Sequence, residues 1–266
     1  MSFRDEFLAQ GWLKAGGIFD PSFIDEVRTE FERQYEELIV RGQGKPGYRT
    51  LGEQRMQLSI QLKGALLDPR LWANPLLMTI LNQLLGEDFL IDSVACIVSL
   101  PGAEDQDPHR DHGKLFKEQP ELNWSLLPFG IIVGIPLVDL TPETGTMNIF
   151  PGIRRDSKAN RSELPTASRG DCYLVDYRTK HQGTANRSNQ WRPVIYVVYA
   201  RPWFTDTVNF RRQAKINMAP EDFATLSAAH QRMFRRLACK GAYDMTEADL
   251  LSAGIDEVTE PAIARA

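Results

Sequence analysis

The chain has 266 residues, 42% of them hydrophobic, 25% charged and 9% aromatic, a balance that suits one large globular domain or two small ones. Its 31 basic and 35 acidic residues leave a net charge of -4, so no chain-wide basic field exists to hold a phosphate backbone, which argues against nucleic-acid binding as the main activity. No run approaches ~18 consecutive apolar residues, which excludes a membrane-spanning helix, and the opening MSFRDEFLAQGW carries acids in place of the apolar stretch of a secretory signal.

Along the chain, Asp20 is placed to cap a helix that begins at Pro21, where a proline forfeits no hydrogen bond. Phe23, Val27, Phe31, Tyr35 and Leu38 follow at spacings of three and four and predict one apolar stripe. The stretch from Arg41 to Arg55 is rich in glycine and polar groups and reads as a loop. Asn74-Pro75 opens a second helix carrying Leu77, Ile80, Leu81, Leu84 and Leu85, and Gly86 closes it.

From there the character changes. Short β-rich runs follow one another: Phe89 to Leu100, Ile131 to Val138, Asp171 to Asp176, and Arg192 to Ala200. Turn clusters such as Pro101-Gly102, Thr141 to Gly145 and Pro151-Gly152 separate them. This predicts a β sandwich or barrel rather than a parallel α/β sheet. Pro220 to Lys240 reads as a helix, and Thr246 is placed to cap a last short one before Gly254. The expected organisation is a single domain over 1–266, mainly β: a helical part over 1–88, a β core over 89–210 and a C-terminal helical extension over 211–266. Cys96, Cys172 and Cys239 lie far apart without a C-x-x-C pair. They cannot build a disulfide framework or a thiolate zinc site, and they suit a reducing cytoplasm.

Two of the four histidines fall in Gln106-Asp107-Pro108-His109-Arg110-Asp111-His112-Gly113. Pro108 and Gly113 disfavour a helix, and in an extended chain residues i and i+2 share a side, so His109 and Asp111 face together. That is two-thirds of a 2-His-1-carboxylate triad, which leaves open positions on iron(II). His181, just past the third β-run, is the candidate third ligand. H-x-D alone occurs by chance in many chains, and the features downstream carry the weight. Arg192 opens the last β-run; a buried guanidinium there needs an anion, such as the far carboxylate of a dicarboxylate that chelates the metal at its other end.

The ordered set of Gln106, His109 and Asp111, then Thr144-Gly145 and Pro151-Gly152, then His181, Gly183, Asn186 and Ser188, then Arg192, resembles the phytanoyl-CoA dioxygenase family of iron(II)/2-oxoglutarate-dependent oxygenases. The entry Phe7-x-x-x-Gly11-Trp12, Leu85-Gly86 and the closing Tyr199 to Phe204 extend the resemblance over most of the chain. It implies a double-stranded β-helix, the jelly-roll or cupin-like barrel, flanked by helices. It implies iron(II) on His109, Asp111 and His181, 2-oxoglutarate as cosubstrate with its 5-carboxylate on Arg192 and a further contact from Gln106, and O2 as oxidant. The implied reaction oxidises a C–H bond, usually by hydroxylation, and releases succinate and CO2. Related halogenases lack the carboxylate ligand, so Asp111 favours oxygen transfer over halogenation.

The chain departs from the family where Ile153-Arg154 follow Pro151-Gly152, and where Met147 stands at a position that often carries a hydroxyl; Thr146 is its neighbour. No distinct basic cluster awaits a coenzyme A phosphate, which points to a small metabolite or natural-product intermediate as substrate. His112 is expected at the surface or behind a ligand, His230 on a solvated helix face, and Arg110 outward. Tyr48, Arg49 and Arg55 fall in the irregular stretch, which in this family often folds over the pocket; they are candidates to meet an acidic substrate, but charged loop residues are more often merely solvated. Trp124, Phe129 and Trp203 line the pocket or fill the core, and Cys172 is expected to pack. The C-terminal helices offer a surface for a homodimer. The competing readings are a β-helix protein that binds a metal or small molecule without turnover, and a zinc-dependent hydrolase on the same His/Asp/His set.

Overall fold

The computed structural model describes residues 2–41, 48–152, 162–210 and 213–237. Two compact units divide the chain, Met1–Phe234 and Arg235–Ala266; everything below concerns the first. Helix α1 (Phe3–Gln10) opens on a capping box, in which Ser2 Oγ accepts from the Asp5 N–H and the Asp5 carboxylate accepts from the Ser2 N–H. Strand β1 (Trp12–Ala15) leads to α2 (Pro21–Arg41), where Asp20 Oδ1 accepts from the Ser22 N–H at 2.8 Å. Phe23, Ile24, Val27, Phe31, Tyr35 and Ile39 form its buried face, so Ile39 rather than Leu38 completes the stripe. Each such side chain taken fully out of water is worth about 1.5–3 kcal/mol.

The expected loop before Arg55 holds a hairpin instead, β2 (Tyr48–Thr50) and β3 (Arg55–Leu58). Its residues 42–47 lie outside the described residues. Helices α3 (Pro69–Trp72) and α4 (Pro75–Leu85) follow; Asn74 Oδ1 accepts from the N–H groups of Leu76 and Leu77, and Gly86 ends α4 at φ 82. The β core then runs through β4 (Leu90–Ser99), α5 (Pro120–Ser125), β5 (Gly130–Pro136), β6 (Met147–Phe150), β7 (Cys172–Asp176), β8 (Lys180–Gly183) and β9 (Arg192–Ala200). Pro220 to Lys240 is not one helix. Among the described residues it forms α6 (Pro220–Thr225) and α7 (Ala228–Met233), because Ser227 Oγ accepts from the His230 N–H and starts a new helix. The helix expected before Gly254, Cys239 and Ile153-Arg154 lie outside the described residues.

Seven strands form one antiparallel sheet in the order β1-β7-β5-β9-β4-β3-β2, and β6 and β8 form a second. This is the mainly β, double-stranded β-helix architecture with flanking helices. Alternate residues of β9 divide between two faces. Arg192, Val194, Tyr196 and Val198 face the barrel interior. There Val194 and Tyr196 cluster with Met147, Ile149, Tyr173 and Val175, and Val198 packs with Ile132, Phe129 and Phe204. Tyr199, on the opposite face, meets the helices, donating its hydroxyl to the Trp72 carbonyl at 2.6 Å. Burial on both faces is why β4, β5 and β9 read as continuous apolar runs. No described helix is long and apolar enough to cross a membrane.

Candidate metal centre

The segment before Asp111 runs beside β8 as a short additional strand. Gln106 N–H donates to the Gly183 carbonyl at 2.9 Å. His109 N–H donates to the His181 carbonyl at 2.8 Å, and His181 N–H returns the bond at 2.9 Å. His181 is therefore presented, as its place just past the third β-run suggests, from a neighbouring strand, β8, paired through Ile149 to β6. The two imidazole centroids lie 4.7 Å apart. His109 Nε2 is 4.0 Å from Asp111 Oδ1, and His181 Nε2 is 3.3 Å from Asp111 Oδ2. One ligand atom from each of the three residues falls within 4.8 Å of the others.

Hydrogen bonding fixes what these atoms can do. His109 Nδ1 lies 2.8 Å from the Asp107 carbonyl and His181 Nδ1 lies 3.0 Å from the Thr179 carbonyl. A carbonyl only accepts, so in each ring Nδ1 carries the proton and Nε2 of the neutral imidazole presents a lone pair. Burial holds the His181 pKa below its usual value despite the nearby carboxylate. Asp111 Oδ2 is itself buried without a hydrogen-bond partner among the described residues. Two ring nitrogens and a carboxylate oxygen thus converge, and a cation would satisfy all three. Two imidazoles and one carboxylate suit iron(II) and leave room for other ligands.

A polar network behind the centre has no signature in the sequence. Asn209 Nδ2 donates to the Asp111 carbonyl at 2.9 Å and to Asp206 Oδ2 at 2.8 Å. Asp206, fully buried, also accepts from the Tyr177 hydroxyl and from the N–H groups of Val208 and Asn209. Only proximity in the fold links these residues to Asp111.

Arg192 lies in the same barrel, 5% exposed. Its Nη1 donates to the carbonyls of Thr144 and Thr184 and its Nη2 to Ser99 Oγ. Burial pushes its pKa down to about 10; no described carboxylate forms an ion pair with it. Gly145, at φ 81, passes so close that a Cβ would overlap both Arg192 Nη1 and the Ala185 carbonyl oxygen. Gln106 turns its side-chain oxygen to the Gly183 N–H at 3.0 Å. Tyr196, on the face shared with Arg192, has no signal in the sequence that sets it apart from its apolar run; burial pushes its phenol up to about 12.

Other candidates land elsewhere. Arg55 is buried rather than solvated, while Arg49 is exposed and donates to the Asn209 carbonyl. His230 packs edge-on against Trp72 at 5.1 Å, not on a solvated face, and Arg110 is half-buried, donating to the Arg178 carbonyl. His112 sits edge-on to Phe204. Phe129 is core, Trp203 is 59% exposed, and Cys172 is buried. The Thr146 hydroxyl is bonded to the Pro165 carbonyl and lies 3.3 Å from the Tyr173 hydroxyl.

The sequence pattern of the phytanoyl-CoA dioxygenase family (PhyH) matches residues 7–194. Among solved structures, the fold is similar to the non-heme alpha ketoglutarate dependent epimerase SnoN from nogalamycin biosynthesis. The TM-score is 0.59 at 17% identity, covering 74% of this chain and 81% of that one. The same epimerase in complex with Fe3+, alpha ketoglutarate and nogalamycin RO gives a TM-score of 0.55 at 16% identity, covering 74% and 82%. AviO1 from Streptomyces viridochromogenes Tue57 gives 0.58 at 20% identity, covering 75% of this chain and 94% of that one.

Proposed function

Because this chain belongs to the phytanoyl-CoA dioxygenase family, we propose that it is an iron(II)- and 2-oxoglutarate-dependent oxygenase. It hydroxylates or otherwise oxidises a C–H bond of a small metabolite or natural-product intermediate, with release of succinate and CO2. The observation that carries this reading is the convergence of His109 Nε2, His181 Nε2 and the unpartnered Asp111 Oδ2. Arg192, a buried guanidinium without a carboxylate partner among the described residues, stands in the same barrel.

When bound, iron(II) with 2-oxoglutarate would activate O2 for hydrogen abstraction from carbon. The chain's own part is placement. His109, Asp111 and His181 would hold the metal on one side and leave the other side for cosubstrate and O2. The carbonyls of Asp107 and Thr179 fix both imidazoles with Nε2 inward, so no tautomer change is needed before the metal binds. Arg192 would orient 2-oxoglutarate through its far carboxylate, its own position set by Thr144, Thr184 and Ser99. Gln106, anchored on the Gly183 N–H, leaves its side-chain N–H groups to the cosubstrate. Val194 and Tyr196, next along the same face of β9, pack with Met147, Ile149, Tyr173 and Val175 and supply apolar surface beside Arg192. Metal binding without turnover and zinc hydrolysis need no second anion-binding group in the barrel, whereas a chelating dicarboxylate uses Arg192.

SnoN is an epimerase of nogalamycin biosynthesis. Hydroxylation and epimerisation both begin by removing hydrogen from carbon, so the product distinguishes them. The test is a panel of metabolites and natural-product intermediates with iron(II), 2-oxoglutarate and air. A substrate that triggers stoichiometric succinate supports the reading; succinate with no member of a broad panel counts against it.

A further inference from the structure

Of the three metal-facing residues, Asp111 is the one that the sheet does not hold. His109 and His181 bond to each other through both main chains. Asp111 follows the last of those bonds and lies outside every described strand. Among the described residues its main chain has one hydrogen-bond partner, Asn209, whose Nδ2 donates to the Asp111 carbonyl at 2.9 Å although the two residues are 98 positions apart.

The same nitrogen donates to Asp206 Oδ2 at 2.8 Å. A carbonyl only accepts, so the nitrogen of the Asn209 amide, not its oxygen, must face Asp111. Asp206 fixes that orientation. Its Oδ1 accepts from the N–H groups of Val208 and Asn209 at 2.7 and 3.0 Å, and its Oδ2 also accepts from the Tyr177 hydroxyl at 3.0 Å. The Asp206 N–H donates to Asp92 Oδ2 on β4 at 3.0 Å, and Lys215 Nζ lies 3.1 Å from that oxygen. Arg49 Nη1, from β2, donates to the Asn209 carbonyl at 2.6 Å. Asn209 is thus braced from β2, from β4 and from the residue that follows β7.

Asp92 and Asp206 are 1% and 0% exposed. Buried carboxylates are costly unless fully hydrogen-bonded, and apolar side chains of similar volume would close the fold at least as well. What apolar side chains could not supply is a rigid donor aimed at the Asp111 main chain.

We propose that Asn209 is a positioning residue for the metal centre: through the Asp111 carbonyl it holds the Asp111 carboxylate toward His109 and His181, and Asp206 holds Asn209. This rests on the metal-centre reading above. Asn209 acts through Asp111 and not on the metal itself. Without its bond the Asp111 carboxylate, with Oδ2 buried and unpartnered among the described residues and 3.3 Å from His181 Nε2, gains by swinging toward water. A cation would then have to draw it back, at a loss of affinity.

Equilibrium dialysis of the metal-free protein against iron(II) alone, without O2, reads this independently of turnover. Asn209→Ala is expected to weaken iron(II) binding by about 10- to 100-fold, the range for groups that orient a metal ligand. A double-mutant cycle separates positioning from general loosening. With Asp111→Ala in place Asn209 has no carboxylate to orient, so adding Asn209→Ala should change the residual affinity by less than about threefold. Asn209→Gln keeps the amide but displaces it and should fall between wild type and Asn209→Ala; it carries the test, alone and with Asp111→Ala, if Asn209→Ala does not fold. Wild-type iron(II) affinity in whichever of these variants folds overturns the proposal. An equal loss with and without the Asp111 carboxylate also overturns it, because the network would then be structural only. Failure of the parent reading looks different: the wild-type protein would not bind iron(II), or Asp111→Ala would bind it as tightly as wild type.

Discussion

The backbones of His109 and His181 exchange both of their hydrogen bonds, at 2.8 and 2.9 Å, although the two residues are far apart in the chain. The pairing sets two imidazoles side by side on neighbouring extended segments, and each ring is then locked by the carbonyl two residues before it. The metal-facing geometry is built by the sheet and does not depend on the third donor.

Asp111→Ala therefore should leave the fold intact. Asp111 Oδ2 accepts no hydrogen bond among the described residues, so its removal relieves a buried lone pair and gives up only the approaches to the two imidazoles at 3.3 and 4.0 Å. The metal-free variant is expected to melt within a few degrees of wild type, or slightly higher, while iron(II) affinity falls by more than about a hundredfold. Wild-type iron affinity in this variant would remove Asp111 from the centre.

Gly145→Ala tests how tightly the guanidinium is seated. The glycine is left-handed, and a methyl there would overlap Arg192 Nη1 and the Ala185 carbonyl oxygen, one of them backbone. Strain and overlap together should cost about 2 kcal/mol or more in urea unfolding of the metal-free protein. The requirement for 2-oxoglutarate should rise with it. A variant of unchanged stability would mean the turn adapts freely.

Alkaline pH should destabilise the protein earlier than tyrosine chemistry alone dictates. Burial raises the Cys172 thiol to about 12 and pushes Cys96 up as well. The folded state keeps two protons that the unfolded chain releases above about pH 8.5, so stability is full below that value and falls as pH rises. Between pH 9 and 10 the two thiols together remove about 2.4 kcal/mol of stability. Chemical denaturation at pH 8, 9 and 10 measures it. A flat profile would contradict the burial of these thiols.

Much of the fold was legible because local chemistry and tertiary role agree. Asp20-Pro21 and Asn74-Pro75 place a cap and a first-turn proline together, and both helices begin there. The strands β4, β5 and β9 are buried on both faces and announce themselves as apolar runs. The polar strands are hidden. Lys180 to Gly183 carries His181 on a strand too short and too mixed for any period, and the Arg55 strand puts an arginine and a glutamine inside the barrel. Its residues look like a solvated loop because their partners, Ser99 and Thr184, are distant in sequence. Asn209 and Asp206 stayed invisible for the same reason. The candidate site was legible chiefly where two donors share one short segment, His109 with Asp111, and less so where the fold alone brings groups together.

If His109, Asp111 and His181 hold iron(II), 2-oxoglutarate can chelate it there. Adding both to the metal-free protein without O2 and recording the visible spectrum tests it most directly. A weak metal-to-ligand charge-transfer band should appear only with both components and be lost in Asp111→Ala. A flat visible spectrum at saturating iron(II) and 2-oxoglutarate, from folded wild-type protein, would contradict it.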